Sequence, residues 1–386
     1  MAYKSIGLAS VLVFLLAMCD PAQASLLQES IEAQLEELDL EGLVRYTELV
    51  DPDLQAYLPQ LDLKGILSGM GGQVSMLELF QQLAALLLRE ILLSAVLLRQ
   101  LVVVAALSAL LTRLTTAFGE NAVVRLAQSI CFLVIIVIGL QSFRTVMNLA
   151  AQTIDKMVSF MYAILPTLAA LLAAAGGITS AGIFHPVLVA MVSAVASAVR
   201  YLLLPLIFAG GVLGLLAHFS TELPLSRLAG FVKQTAVTVL GLMFIVFSGV
   251  MTVRGAVTPI ADGVALRTAK FLTKTFVPVV GGMFADAVEV VAGGSLLIKN
   301  AVGIFGLAVV FFVVAVPIIK VWAVILIYKL TNAVIQPIVE NRIVEAIASL
   351  ENTLTLILAS LATAGLMFFL IITVLVGLGN LAAVMR

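Results

Sequence analysis

Gly176-Gly177-Ile178-Thr179-Ser180-Ala181-Gly182-Ile183-Phe184-His185-Pro186 stands between two long apolar stretches, and its turn-forming residues mark a break inside them. The surroundings set the class. Hydrophobic residues make up 62% of the 386 positions and charged residues only 11%, a balance foreign to soluble folds. A hydrocarbon core about 30 Å thick needs roughly 20 apolar residues per crossing helix. The apolar runs are continuous rather than alternating, which argues against an outer-membrane barrel. The expected fold is all-α, a polytopic helical membrane protein.

Seven apolar segments are long enough to span: 91–111, 126–141, 158–175, 187–217, 235–253, 304–328 and 354–378. With the N-terminus outside, seven crossings place Arg113, Arg125, Arg254, Arg267, Lys270, Lys274 and Arg386 in the cytoplasm, in line with the positive-inside rule. Arg144, Lys156, Arg227 and Lys233 run against it. The fourth segment is too long for one simple helix, and Arg200, Pro205 and Gly210-Gly211 are the expected points of bending. Its Ala190, Ala194 and Ala198, with Ser193 and Ser197 beside them, form a small-residue face suited to close helix packing, within the chain or with a copy of itself.

The chain divides into a signal peptide at 1–24, an acidic extracytoplasmic region at 25–80 and a helical membrane domain at 81–386. Lys4, the apolar run 6–18 and Ala22-Gln23-Ala24 have the order of a cleaved signal. Met18 is too bulky to precede a lipidated cysteine at Cys19; with the signal removed, Cys131 remains alone and no intramolecular disulfide forms. Between 25 and 72 stand Glu29, Glu32, Glu36, Glu37, Asp39, Glu41, Glu48, Asp51, Asp53 and Asp62 against Arg45 and Lys64. Leu27, Ile31, Leu35 and Leu38 give this region a short amphipathic helix, either a spacer or a docking element, and 69–72 a glycine hinge.

An internal duplication is readable over units 123–217 and 235–328. Arg144 and Arg254, Leu165-Pro166 and Val277-Pro278, and the pairs Gly176-Gly177 and Gly293-Gly294 recur in order. Under the seven-crossing topology the units are inverted, as in transporters with broken helices. The segment 254–300 carries too many charges for a plain span and reads as a re-entrant or interfacial hairpin.

Four residues are candidates for a polar path. Asp286 and Glu289 share a helix face, either along such a path or on the wet side of an interfacial helix. Arg200 and Lys320 interrupt apolar runs, where a central charge costs at least about 2.5 kcal/mol, so each faces a cavity or partner or snorkels from a helix end. His185 and His218 are too far apart in sequence to define a metal site. Pro186 is expected in the first turn of a helix, with Thr179 or Ser180 satisfying the loop backbone. No catalytic or phosphate-binding motif is present, so neither an enzymatic role nor a cofactor is expected.

The stretch from Leu165-Pro166-Thr167 through Gly176-Gly177, Thr179-Ser180 and His185-Pro186 resembles the stage III sporulation protein AE family of endospore-forming bacteria. So do Val253-Arg254-Gly255-Ala256-Val257-Thr258, Asp262-Gly263, Lys270-Phe271 and Val277-Pro278-Val279-Val280-Gly281-Gly282. The order of signal, acidic region and membrane domain matches as well. That resemblance implies a membrane subunit of the channel complex linking mother cell and forespore, placed in the mother-cell membrane that surrounds the forespore. It implies ring-forming proteins and a secretion-type ATPase of the same complex as partners, a forespore partner across the intermembrane space, and no nucleic acid. Within it, a conducting role and a scaffold role both stand. A secondary transporter unrelated to sporulation is the competing reading.

Overall fold

A computed structural model describes residues 76–118, 122–219, 225–276 and 280–384, which hold seven long helices and one π-helical turn. They are α1 (Met76–Phe118), α2 (Ala122–Ala174), α3 (Ile178–Ser197), the π-turn (Ala198–Leu203), α4 (Leu204–Phe219), α5 (Ser226–Phe276), α6 (Val280–Ile335) and α7 (Asn341–Val384). The signal peptide, the acidic helix and the 69–72 hinge lie outside the described residues. Among the described residues, six stretches are long and apolar enough to cross a membrane: Leu77–Arg113, Leu126–Ala174, Ile178–His218, Ser226–Gly255, Val290–Ile335 and Asn341–Leu378.

The segments 126–141 and 158–175 thus lie on one uninterrupted helix, α2. The charged stretch between them keeps helical period. Phe143, Val146, Ala150, Ile154 and Met157 are buried, while Arg144, Asn148, Gln152 and Lys156 are exposed. Its charges mark a face rather than a loop, so the topology that counted two crossings here does not carry over. The segment 254–300 likewise is helical on both sides of 277–279, continuing α5 and opening α6.

The fourth segment leaves regular α-helix where a bend was expected. The π-turn sits immediately before Pro205, and the Leu204 N–H bonds to Val199 O, five residues back. Gly210 and Gly211 stay inside α4 and serve packing instead. A Cβ on Gly211 would lie 2.8 Å from Thr353 of α7 and 3.0 Å from the Phe143 ring. Gly303 and Gly306 of α6 similarly admit Val376 of α7 and Ile164 of α2.

These contacts fix the arrangement. Asp155–Arg200, Tyr162–Ser193 and Phe143–Gly211 run α2 antiparallel to the α3–α4 unit. Ser180–Asp262 and Gly210–Lys233 run that unit antiparallel to α5. The core is formed chiefly by α2, α6 and α7, through residues such as Phe160, Ile164, Phe305, Val309, Ile357, Phe368 and Ile372. α1 and α5 lie outside and turn Leu88, Leu92, Leu242, Ile245 and Val253 outward. Of the paired landmarks of the duplication, Gly176 breaks the chain, Gly293 and Gly294 lie within α6, and Pro166 lies within α2. Pro278 falls outside the described residues.

Candidate functional site

The motif at 176–186 builds a buried polar junction. Gly176 adopts φ 93°, a left-handed conformation that glycine takes without strain. Its N–H bonds to Ala173 O and that of Gly177 to Leu172 O, both at 2.9 Å, closing α2 as a Schellman cap. α3 begins at once, with Gly177 as an N-cap that has no side chain to offer. The cap comes from α5 instead. Asp262 accepts the Ser180 N–H at Oδ1 (3.0 Å) and the Ser180 hydroxyl at Oδ2. Both residues are buried, Asp262 only 3% exposed and Ser180 not at all. A carboxylate at a helix N-terminus satisfies orphan donors and meets the positive end of the macrodipole.

The Ser180 hydroxyl thus bonds no loop backbone, contrary to expectation; Ser180 donates both its own N–H and its hydroxyl to a carboxylate from a distant helix. Thr179 and His185 are half-buried, and His185 Nδ1 is enclosed without a hydrogen-bond partner among the described residues. Pro186 is not in the first turn, as the sequence suggested, but well inside α3. The Schellman cap and Asp262 let the helix restart before it, and Gly182 leaves open space beside the turn that the proline interrupts.

A second polar feature runs along the outer face of α2. Gln141, Arg144, Asn148, Gln152, Lys156 and Ser159 are exposed at successive turns. Arg200, on the π-turn, forms a salt bridge with Asp155, and both side chains are about half-exposed (41% and 47%). Two turns further along, the Tyr162 hydroxyl and Ser193 Oγ lie 2.6 Å apart.

The level of this stripe follows from the packing register. Lys233 and Arg254 bound the apolar run of α5, and they lie about 32 Å apart at 1.5 Å per residue. Lys233 reaches Gly210 and donates to Ser349 O (3.2 Å) and Oγ (3.1 Å) at one end of the run. Counting between Ser180–Asp262 and Gly210–Lys233 sets Arg200 level with Met243, the middle of the run. By Gly306–Ile164 and Gly303–Val376, the apolar runs of α6 and α7 span the same level. On the same count Gln141 and Arg144 lie at or beyond the Lys233 end of the run, and Asn148, Gln152, Lys156 and Ser159 face outward within it.

The four path candidates do not converge. Lys320 is half-buried on α6, near the level of Asp155, whereas Asp286 and Glu289 lie about 45–50 Å earlier on that helix, with side chains outside the described residues. Sequence reasoning placed Asp262 only within the family resemblance, without a role, and passed over Asp155. It also passed over Lys299, which is fully buried and donates to Val376 O at 2.8 Å beside the Gly303 contact. The groove where α1, α6 and α7 meet, 440 Å³ in volume, is lined by Leu83, Val310, Phe311, Val314, Ile318 and Leu366 among others, all apolar. Among the described residues no cluster suits a metal ion.

Comparison with known proteins gives a consistent result. Residues 61–379 match the family model described as stage III sporulation protein AE. The chain is similar to the stage III sporulation protein AE of Bacillus subtilis (strain 168), 36% identical over 309 residues, covering 80% of this chain and 77% of that protein. No solved structure matches. The stretches that carried the resemblance in sequence, 176–186 and 253–263, meet at Ser180 and Asp262.

Proposed function

This chain belongs to the stage III sporulation protein AE family, and from that premise we propose that it is a multi-pass membrane subunit of the channel complex between mother cell and forespore. It resides in the mother-cell membrane around the forespore. Its acidic region faces the intermembrane space and docks ring-forming subunits, while a secretion-type ATPase of the complex acts from the cytoplasmic side and a forespore partner completes the connection. No catalytic step is assigned to the chain.

Of the conducting and scaffold roles, conduction has the stronger support. The observation that carries it is the exposed polar face of α2 from Asn148 to Ser159, with the Asp155–Arg200 pair, level with the apolar runs of α5, α6 and α7. A surface of arginine, lysine and amides at hydrocarbon depth requires water or protein against it. The tight glycine contacts at Gly211, Gly303 and Gly306 supply the rigid wall that such a path needs.

The test is deletion of the gene in its spore-forming host, with forespore volume and late forespore transcription followed after engulfment. Forespores that engulf and then shrink without late transcription, restored by the intact gene, are the expected result. Normal spores from the deletion strain would overturn this reading.

A further inference from the structure

Where α1, α6 and α7 meet, small side chains leave a space that their helices do not close. Ala315, Ala362 and Gly365 line it, flanked by Phe311 and Leu366, which are 42% and 48% exposed. A Cβ on Gly365 would lie 2.6 Å from Val314, so α6 and α7 are already in contact there and cannot fill the groove by moving together. Counting from Gly306–Ile164 sets Ala315 level with Asp155, and so with Arg200 and Met243 at the middle of the apolar run of α5. The groove therefore lies at the centre of the hydrocarbon layer.

The lining decides what can occupy these 440 Å³. Every lining side chain is apolar, whereas a buried water needs about three polar partners, so water does not fill it. An extended segment of protein would leave its backbone groups unsatisfied against such walls. A helix that crosses the bilayer runs through about 30 Å of hydrocarbon. From Val310 to Ile319 the groove covers only about 14 Å at 1.5 Å per residue, too short to seat one. What remains is a hydrocarbon chain, which is slender, has no polar group to satisfy and is the medium at that depth.

We propose that this groove is a phospholipid-binding site, holding the distal half of one acyl chain between α1, α6 and α7, with the headgroup at the Lys329 end of α6. The direction comes from α6 itself. Trp322 lies three turns beyond Phe311 and Lys329 two turns beyond Trp322, so the three share one face of the helix. Trp322 is 46% exposed, and tryptophan favours the membrane interface. Lys329 stands about 21 Å beyond Ala315 along α6, close to the level of Lys233, where the apolar run of α5 ends. Its bridge to Glu351, at 3.7 Å, leaves ammonium donors for a phosphate. Towards the start of α6 the same face carries Ile304 and Leu297, both exposed and apolar. The inference needs only that these helices cross a bilayer, and it stands apart from the sporulation reading.

The test uses the full-length chain in liposomes of phosphatidylcholine and phosphatidylglycerol with a trace of phospholipid bearing a diazirine near the end of one tail. On illumination, adducts should concentrate in peptides that hold 310–319 and 362–369, several-fold above those around Leu242 and Ile245 at the same depth on α5. Ala315→Phe and Ala362→Phe fill the groove, and each should cut those adducts several-fold while leaving the Tm in detergent unchanged or raised. Native mass spectrometry of the purified protein should find one phospholipid per chain, lost from the filled variants and held several-fold more weakly by Lys329→Gln.

Adducts spread evenly over α5 and α6 would overturn the site and leave only bulk lipid. A groove without adducts in a protein labelled elsewhere would overturn the acyl chain as occupant and point to residues 1–75 or another protein. Adducts that persist in both filled variants at wild-type Tm would overturn the placement, and equal retention by Lys329→Gln would overturn the position of the headgroup. The wild-type adduct map alone decides the occupant, whatever the stability of the variants.

Discussion

Helices α2 and α5 pass through the same level of the bundle and turn opposite surfaces outward. α5 shows Leu242, Ile245 and Val253, between 63% and 71% exposed, whereas α2 shows Arg144, Asn148, Gln152 and Lys156. Each buries an apolar face, so the difference lies entirely in what the outer face meets. Hydropathy summed along a helix cannot separate the two cases. Periodicity can, because the polar residues of α2 recur every three or four positions and those of a loop would not. The comparison can be broken at its strongest point. Ile245→Arg should cost about 3 kcal/mol of insertion free energy, as a charge moved to hydrocarbon depth does, and Gln152→Arg almost nothing. The amount of full-length protein in membranes checks this, and equal loss from both variants would erase the distinction.

The next effect concerns how the two helices are held in register. Ser180 is sealed against Asp262, and Asp262→Ala would leave a buried hydroxyl and a helix N-terminus without their acceptor. A loss of about 2 kcal/mol is expected, seen as a lowered Tm of the purified protein in detergent. Asp262→Asn keeps one acceptor oxygen and should recover part of it. An unchanged Tm for Asp262→Ala would mean that the cap does not set the register of α3 on α5.

Much of this was legible in sequence, and the exceptions share a cause. The break at Gly176-Gly177, the departure from regular α-helix before Pro205 and the helical class follow from local chemistry: a left-handed glycine, a proline without a donor, long apolar runs. Asp262 was not legible as a cap because it lies 82 residues from Ser180, and a lone carboxylate in a charged stretch looks solvated. Lys299 was hidden for the same reason, its carbonyl partner being 77 residues away. The charges of 144–156 looked like a loop between two spans. They were one face of a continuous helix, and the buried Phe143, Ala150 and Ile154 on the other face were the signal that could have shown it.

A smaller effect sharpens the packing side. Gly211→Ala would place a methyl 2.8 Å from Thr353 and 3.0 Å from the Phe143 ring, so one of three helices must shift. A cost of about 1–2 kcal/mol is expected from such overpacking, again read as a fall in Tm. Gly230→Ala, where a Cβ would meet nothing within 4 Å, is the matched control and should leave Tm unchanged or slightly raised.

The smallest effect is also the most discriminating. Arg200→Ala removes the partner of Asp155, and the consequence depends on what lies outside the pair. Against water, a half-exposed pair contributes little, and the variant should lose only about 0.5 kcal/mol. Against hydrocarbon, Asp155 would become an unpaired charge in a medium that cannot solvate it, at a cost of about 3 kcal/mol or more. The membrane level of the full-length variant, set beside that of Ile245→Arg in the same cells, separates these cases without a ligand or a partner in hand. A near-normal level for Arg200→Ala with a depleted Ile245→Arg means that α2 and α5 face different media at one depth. Equal depletion would place both helices in lipid and leave the stripe without a path to line.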